Sequence, residues 1–194
     1  MAKRIQDNKL LYHMTALDNL PNIFQYGLLS RNEAIRRGLL LTDIADKEIV
    51  GKRQELHIDN YIPFHFFEKT PFAGAVIKNN PSKDFCFIAI TREFAQKSRF
   101  QICTAHPLSA NAGVYDWSIG MQNINWLAAE TRNFNDNESK NACMAECLAV
   151  SPLYYSAFFC IFVKDEKSRI FVDDLATSII GNYPFEIWSN DTFF

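Results

Sequence analysis

The apolar and polar positions near the start of the chain change period twice. Leu10, Leu11 and Tyr12 form a short apolar run, after which His13 and Thr15 flank Met14. At a strand's period of two, the histidine and the threonine share one polar face, turned away from Met14. Residues 20–26 read as a helix: Asp18 or Asn19 can cap it, Pro21 fits its first turn, and Gly27 suits the left-handed residue that ends a helix. Ser30, with Glu33 three positions later, spells a capping box for a second helix. The pattern predicts a strand, a short helix, a sharp stop and a second helix start. Two helix starts near one polar strand end form an anion site.

Further along, residues 32–50 read as an irregular helix with Ala34, Ile35, Leu39, Leu40 and Leu41 as its apolar positions and a break at Gly38. Residues 61–67, YIPFHFF, are aromatic and β-rich, with Pro63 limiting the strand to an edge, a start or a bulge. Strands are predicted at 73–77 and, more strongly, at 85–90, followed by a short helix at 91–98 and a strand at 100–104. Trp117 and Trp126 bracket a turn and a helix-compatible piece. Residues 132–141, RNFNDNESKN, hold a single apolar side chain, Phe134, and read as a mobile surface loop. A strand at 145–150, an apolar run at 154–163 and a final short piece opening at 170–172 complete an α+β pattern.

Composition bounds the function. A chain of 194 residues with 48% apolar content fits a single domain over residues 1–194 with a sizeable core. Apolar runs of about 18 residues do not occur, and MAKRIQDNK is followed by no hydrophobic segment, so the expectation is a cytoplasmic protein without membrane span or secretory signal. Five cysteines, an odd number without a Cys-x-x-Cys, suit reduced packing residues, and Cys143 and Cys147 have no histidine pair beside them, so no metal is expected. The net charge of −2 hides basic stretches: six Lys/Arg against four Asp/Glu over 31–53, and five against two over 78–101. Such stretches can hold a phosphate backbone, although a solvated mixed face is their commoner meaning. Neither Gly-x-Gly-x-x-Gly, Gly-x-x-x-x-Gly-Lys nor Gly-x-Ser-x-Gly occurs, which removes the Rossmann site, the P-loop and the hydrolase elbow.

Glu146 in NACMAECLAV carries the most information. At strand spacing its side chain shares a face with Met144, Leu148 and Val150. Burying a lone carboxylate there costs several kcal/mol, so it needs a cationic partner, a ligand or an edge open to water. His13 carries less, because a single histidine among apolar residues is usually structural. Arg53, after Gly51, carries less still, because a loop arginine is usually solvated.

The ordered set Tyr12-His13-Met14-Thr15, Asn19-Leu20, Gly27-Leu28-Leu29-Ser30-Arg31-Asn32, Lys52-Arg53, Tyr61-Ile62-Pro63-Phe64, Trp117 and Ala145-Glu146-Cys147-Leu148 resembles the DarT family of DNA ADP-ribosyltransferase toxins over nearly the whole chain. The resemblance implies an ADP-ribosyltransferase-like fold, a split, twisted β core with flanking helices that binds NAD as co-substrate. It implies NAD contacts by His13, Met14 and Thr15, a pocket lined by Leu29 or Ser30, and a further contact at Asn22. Arg53 becomes an NAD-binding and base-activating arginine and Glu146 the catalytic glutamate. Residues 132–141 become a substrate-recognition loop, acting through Arg132, Phe134 and Asn137. The partners implied are single-stranded DNA and an antitoxin that removes ADP-ribose, of macrodomain-like type. After Tyr61-Ile62-Pro63-Phe64 the sequence continues His65-Phe66-Phe67-Glu68-Lys69-Thr70-Pro71, departing from the thymidine-modifying branch, so both thymidine and guanosine stand as acceptors. Transfer to RNA or protein, or binding without turnover, are the alternatives from other classes.

Overall fold

A computed structural model describes residues 4–194. After β1 (Leu10–Ala16) come α1 (Leu20–Tyr26), α2 (Arg31–Arg36), α3 (Lys47–Glu55), β2 (Tyr61–His65), α4 (Pro71–Asn79), β3 (Phe85–Thr91) and α5 (Arg92–Lys97). The second half supplies β4 (Gln101–Cys103), β5 (Val114–Tyr115), α6 (Trp117–Asn123), α7 (Trp126–Thr131), α8 (Asn137–Ala142), β6 (Glu146–Val150), β7 (Cys160–Val163), α9 (Glu166–Ile180) and β8 (Glu186–Ser189). The eight strands form one sheet in the order β5-β4-β6-β2-β1-β3-β7-β8, antiparallel except for the β7–β8 pair. This is the α+β architecture expected from the sequence.

The sheet is split at its centre. β1 pairs with β3 along its full length, from Leu10 opposite Thr91 to Ala16 opposite Phe85, but with β2 only at Tyr12 opposite His65. β2 in turn pairs along its whole length with β6. Pro63 explains part of the opening. A strand residue's N–H and C=O point to the same side, and the Pro63 carbonyl is turned towards β1, where it accepts a hydrogen bond from His13. The missing N–H therefore lies on the side where no ladder forms. The expectation of an edge position is corrected to an inner strand bordering a gap.

Apolar side chains fill both faces. Leu11, Ile62, Phe64, Ile88 and Cys147 pack against Phe24 of α1 and Val172 and Ala176 of α9, while Tyr12, Met14, Phe87 and Phe162 pack against Ala73 and Val76 of α4. Arg92, buried, donates to the carbonyls of Ile5, Gln6, Leu10 and Phe66 at 2.8–3.3 Å and lies over the Phe66 ring. Burial pulls its pKa down to about 10. All five cysteines are free and buried, and among the described residues no helix is long and apolar enough to cross a membrane.

Four segments differ from the sequence reading. Residues 73–77 lie in α4 and not in a strand, because Thr70 caps the helix through Ala73 N–H and Pro71 starts it. The helix expected over 32–50 stops at Arg36, and α3 begins only after Asp46, which caps it through Glu48 N–H. The leucines between them belong to a connection. The last helix starts four residues before residue 170, at Glu166, with Asp165 capping through Ser168 N–H. Residues 132–141 are not a free loop: from Asn137 they form α8, and buried Ser139 bonds Thr131 and the Asn133 N–H.

Candidate active site

The split between β1 and β2 opens into a cleft with about 1170 Å³ of empty space, its open mouth included. His13, Met14 and Thr15 reach it from one side of the split, and Tyr61, Pro63 and His65 from the other. Residues 39, 40 and 42–46 of the connection before α3 form much of its wall. That connection is tied down from α1. The buried Asn19 side chain donates to Thr15 Oγ1 and Thr42 O and accepts from the N–H groups of Leu41 and Thr42, all at 2.9–3.1 Å. Asn22 donates to Leu39 O at 2.8 Å, and Arg31 holds Asp43 at 2.6 Å.

Glu146 lies in this cleft, 4% exposed, and the partner its burial demands is Arg53 of α3. The guanidinium donates through Nη1 to Glu146 Oε2 and through Nη2 to the Ile58 carbonyl at 3.1 Å, so one fork is fixed by both the carboxylate and the backbone. Two imidazoles stand beside the pair. His13, half-buried, hydrogen-bonds the Pro63 carbonyl through Nδ1 at 2.8 Å across the split, and burial pushes its pKa down to about 4. His65, 7% exposed, lies opposite Glu146 in the β2–β6 register with Nδ1 3.4 Å from the Ala145 carbonyl. Burial lowers its pKa as well, against the opposing pull of Glu146. A carbonyl only accepts, so each Nδ1 carries the proton and each Nε2 is a free acceptor. Among the described residues no polar side-chain atom is both buried and unpartnered, so these lone pairs open on the cleft.

The structure therefore brings together Glu146, Arg53, His13, Met14, Thr15, Asn22 and Leu29, all of which line the cleft. Ser30 does not line it: it is 1% exposed, its Oγ caps α2 by accepting from Glu33 N–H, and its own N–H is bonded to Ser151 Oγ. The capping box is half formed, because the Glu33 carboxylate pairs with Arg36 and Arg37. Arg132, Phe134 and Asn137 lie on the surface outside the cleft lining, with Arg132 left-handed at the end of α7 and its guanidinium over the Phe67 ring. His65, Asn19 and Phe72 line the cleft without having been singled out for it. His65 was legible at strand period from Tyr61 and Pro63, whereas the loop that Asn19 holds left no periodic signal. Among the described residues no group of three or more His, Cys, Asp or Glu side chains is placed to hold a metal.

The fold is shared with DarT from Thermus sp. 2.9 in complex with ADP-ribosylated single-stranded DNA, at a TM-score of 0.83 and 17% identity over 100% of both chains. It is shared too with the same organism's DarT in complex with NAD+, at a TM-score of 0.77 and 16% identity over 96% of this chain and 97% of that one. The family described as ssDNA thymidine ADP-ribosyltransferase, DarT, matches residues 12–194, and the chain belongs to it. A fusion protein of Thermosipho africanus (strain H17ap60334), a DNA ADP-ribosyl transferase joined to a DNA ADP-ribosyl glycohydrolase, is 27% identical over 196 residues. That match covers 95% of this chain and 49% of the fusion, so the chain spans about half the length of this curated relative.

Proposed function

We propose that the protein transfers ADP-ribose from NAD to a base of single-stranded DNA and releases nicotinamide. The observation that carries this is Glu146, a carboxylate buried in the cleft of the split sheet and held by Arg53. Breaking the nicotinamide glycosidic bond develops positive charge on the ribose, and a fixed carboxylate in a water-poor site stabilises that charge. His13, Met14, Thr15 and Leu29 hold NAD, and Asn22 acts on it through the connection it anchors. Arg53 keeps its charge and steadies either the NAD phosphates or a deprotonated base. Thymidine is favoured over guanosine as the acceptor by the family's description. Arg132, Phe134 and Asn137 meet the DNA strand beyond the reacting base. Strands from both halves of the chain enter one sheet, which supports reading residues 1–194 as one transferase domain.

The fused glycohydrolase of the Thermosipho relative supports a further reading: a toxin whose mark is removed by an ADP-ribosyl hydrolase partner. Purified protein incubated with labelled NAD and, separately, single-stranded DNA, duplex DNA, RNA and a protein mixture tests the activity. Label on single-stranded DNA alone is the expected result. Label on RNA or protein instead, or binding without turnover, replaces the reading.

A further inference from the structure

A second cavity adjoins the cleft, and Phe72 and Met144 line both. Met144 stands two residues before Glu146, so this second space reaches the segment that carries the carboxylate. The residues given to NAD above, His13, Met14, Thr15 and Leu29, line the cleft alone. The second space is therefore left for the other substrate, which must reach the same ribose carbon.

The polar groups of this cavity divide into those already engaged and those left over. Asp43 is paired with Arg31, and Asp46 accepts from Glu48 N–H as the cap of α3. Lys140 of α8 lines the cavity, is exposed, and stands in no salt bridge among the described residues. His106, in the segment after β4, is tied to the end of α8 by its N–H, which donates to the Asn141 carbonyl at 2.9 Å. Its Nδ1 accepts from Leu108 N–H at 3.0 Å, so the ring proton sits on Nε2. Burial, with the charge of Lys140, lowers the pKa of this ring against the pull of Glu146 and Asp46. A cation and a ring N–H complement an anion, and a DNA strand carries one at every linkage. Phe72, half-buried, adds an aromatic ring of the kind on which an unpaired base stacks. Lys140 also follows Asn137 by three positions on α8, the spacing of surface neighbours on a helix, so a strand that passes Lys140 next meets Asn137.

We propose that the second cavity holds the nucleotide next to the reacting base, its phosphodiester on Lys140 Nζ and His106 Nε2–H and its base against Phe72. This rests on the transferase reading above. Phe72 and Lys140 then set the sequence context in which a base is modified, while NAD binding is left to the cleft.

The test measures transfer to oligonucleotides with one reactive base, at a series of salt concentrations, by wild type, Lys140→Ala, Lys140→Arg, His106→Ala and Phe72→Leu. Each linkage flanking the reactive base is replaced in turn by a neutral methylphosphonate, and each neighbouring base by an abasic site. One methylphosphonate should lower the wild-type kcat/KM about tenfold, as should Lys140→Ala on the natural strand. Variant and methylphosphonate together should lose little more than either alone, because both remove the same contact. Lys140→Ala should make the slope of log(kcat/KM) against log salt shallower by about 0.7, and Lys140→Arg should keep it. His106→Ala should fall about threefold on the natural strand and not at all on the methylphosphonate. An abasic neighbour should cost wild type about fivefold or more and Phe72→Leu less than about twofold. Calorimetry should find NAD affinity in Lys140→Ala within about twofold of wild type, and thermal unfolding checks that each variant is folded. An unchanged kcat/KM and salt slope in Lys140→Ala, losses that multiply when variant and methylphosphonate are combined, or an abasic neighbour that costs Phe72→Leu as much as wild type overturns the proposal. A wild type that modifies no DNA ends the transferase reading and this proposal together, whereas an active wild type with an unaffected Lys140→Ala ends this proposal alone.

Discussion

Replacing Glu146 by glutamine keeps the shape and one acceptor oxygen for Arg53 but removes the charge. The carboxylate side chain is 5% exposed and that of Arg53 11% exposed, so water screens the pair poorly. At an effective dielectric constant of about 20, a unit charge about 4 Å from the carboxylate gains roughly 4 kcal/mol, a factor of about 10³ in rate for a fully developed ribose cation. Glu146→Gln should therefore lower kcat for DNA modification by about 10³, with NAD affinity within about threefold, because the lost interaction forms in the transition state. Glu146→Ala adds a stability cost. It leaves the Arg53 guanidinium buried without its counter-charge, about 3–5 kcal/mol by analogy with other broken buried pairs, or a fall in Tm of about 6–20 °C for a chain of this size. Single-turnover transfer to a labelled oligonucleotide, isothermal calorimetry with NAD and thermal unfolding together separate these effects. Turnover by Glu146→Gln within tenfold of wild type, or an unchanged Tm for Glu146→Ala, would refute the reasoning.

The remaining predictions concern what holds the cleft. His13, half-buried, stays neutral with its pKa pushed to about 4, so between about pH 6.5 and 4 the unfolded chain binds more protons than the folded one, and stability is lost as pH falls through that window. A Tm–pH profile should be flatter over that range in His13→Gln, and an unchanged slope would count against the assignment. Asn19→Ala removes the three hydrogen bonds that fix residues 41 and 42 and a fourth to Thr15. It should cost about 2–3 kcal/mol of stability, and moving about 1.4 kcal/mol of loop ordering into the binding step should weaken NAD about tenfold by calorimetry; unaltered affinity contradicts it. Arg92→Leu strands four backbone carbonyls and should lower stability by about 3–5 kcal/mol, whereas denaturant unfolding at the wild-type midpoint would show that water replaces the guanidinium.

Residues whose environment follows from chain periodicity were legible, and those placed by tertiary contacts were not. Glu146 declared itself because a carboxylate on an apolar strand face needs a partner, and Arg53 is that partner. Its own position, after a glycine in what read as a loop, gave no such signal, since the cation is brought in from α3 across a separation only the fold defines. The strand at 85–90 was clear because every inward position is apolar, and β3 is buried on both faces. Residues 73–77 misled because a short apolar run has the same content in a buried strand and in α4, and only the Thr70-Pro71 helix start ahead of it separates the two. The leucines at 39–41 looked helical, yet Leu39 and Leu40 turn into the cleft from a connection whose shape is set by Asn19 and Asn22. Polar composition likewise hid α8, whose order comes from one buried hydroxyl, Ser139.

The central claim is that the Glu146 cleft joins ADP-ribose from NAD to a base of single-stranded DNA. The most direct measurement is mass spectrometry of an oligonucleotide carrying one thymidine and one guanosine, after incubation with NAD and either wild type or Glu146→Gln. Addition of one ADP-ribose to the thymidine by wild type, absent with the variant over the same time, is the predicted result. An oligonucleotide left unmodified by wild type, or modified equally by both proteins, would contradict it.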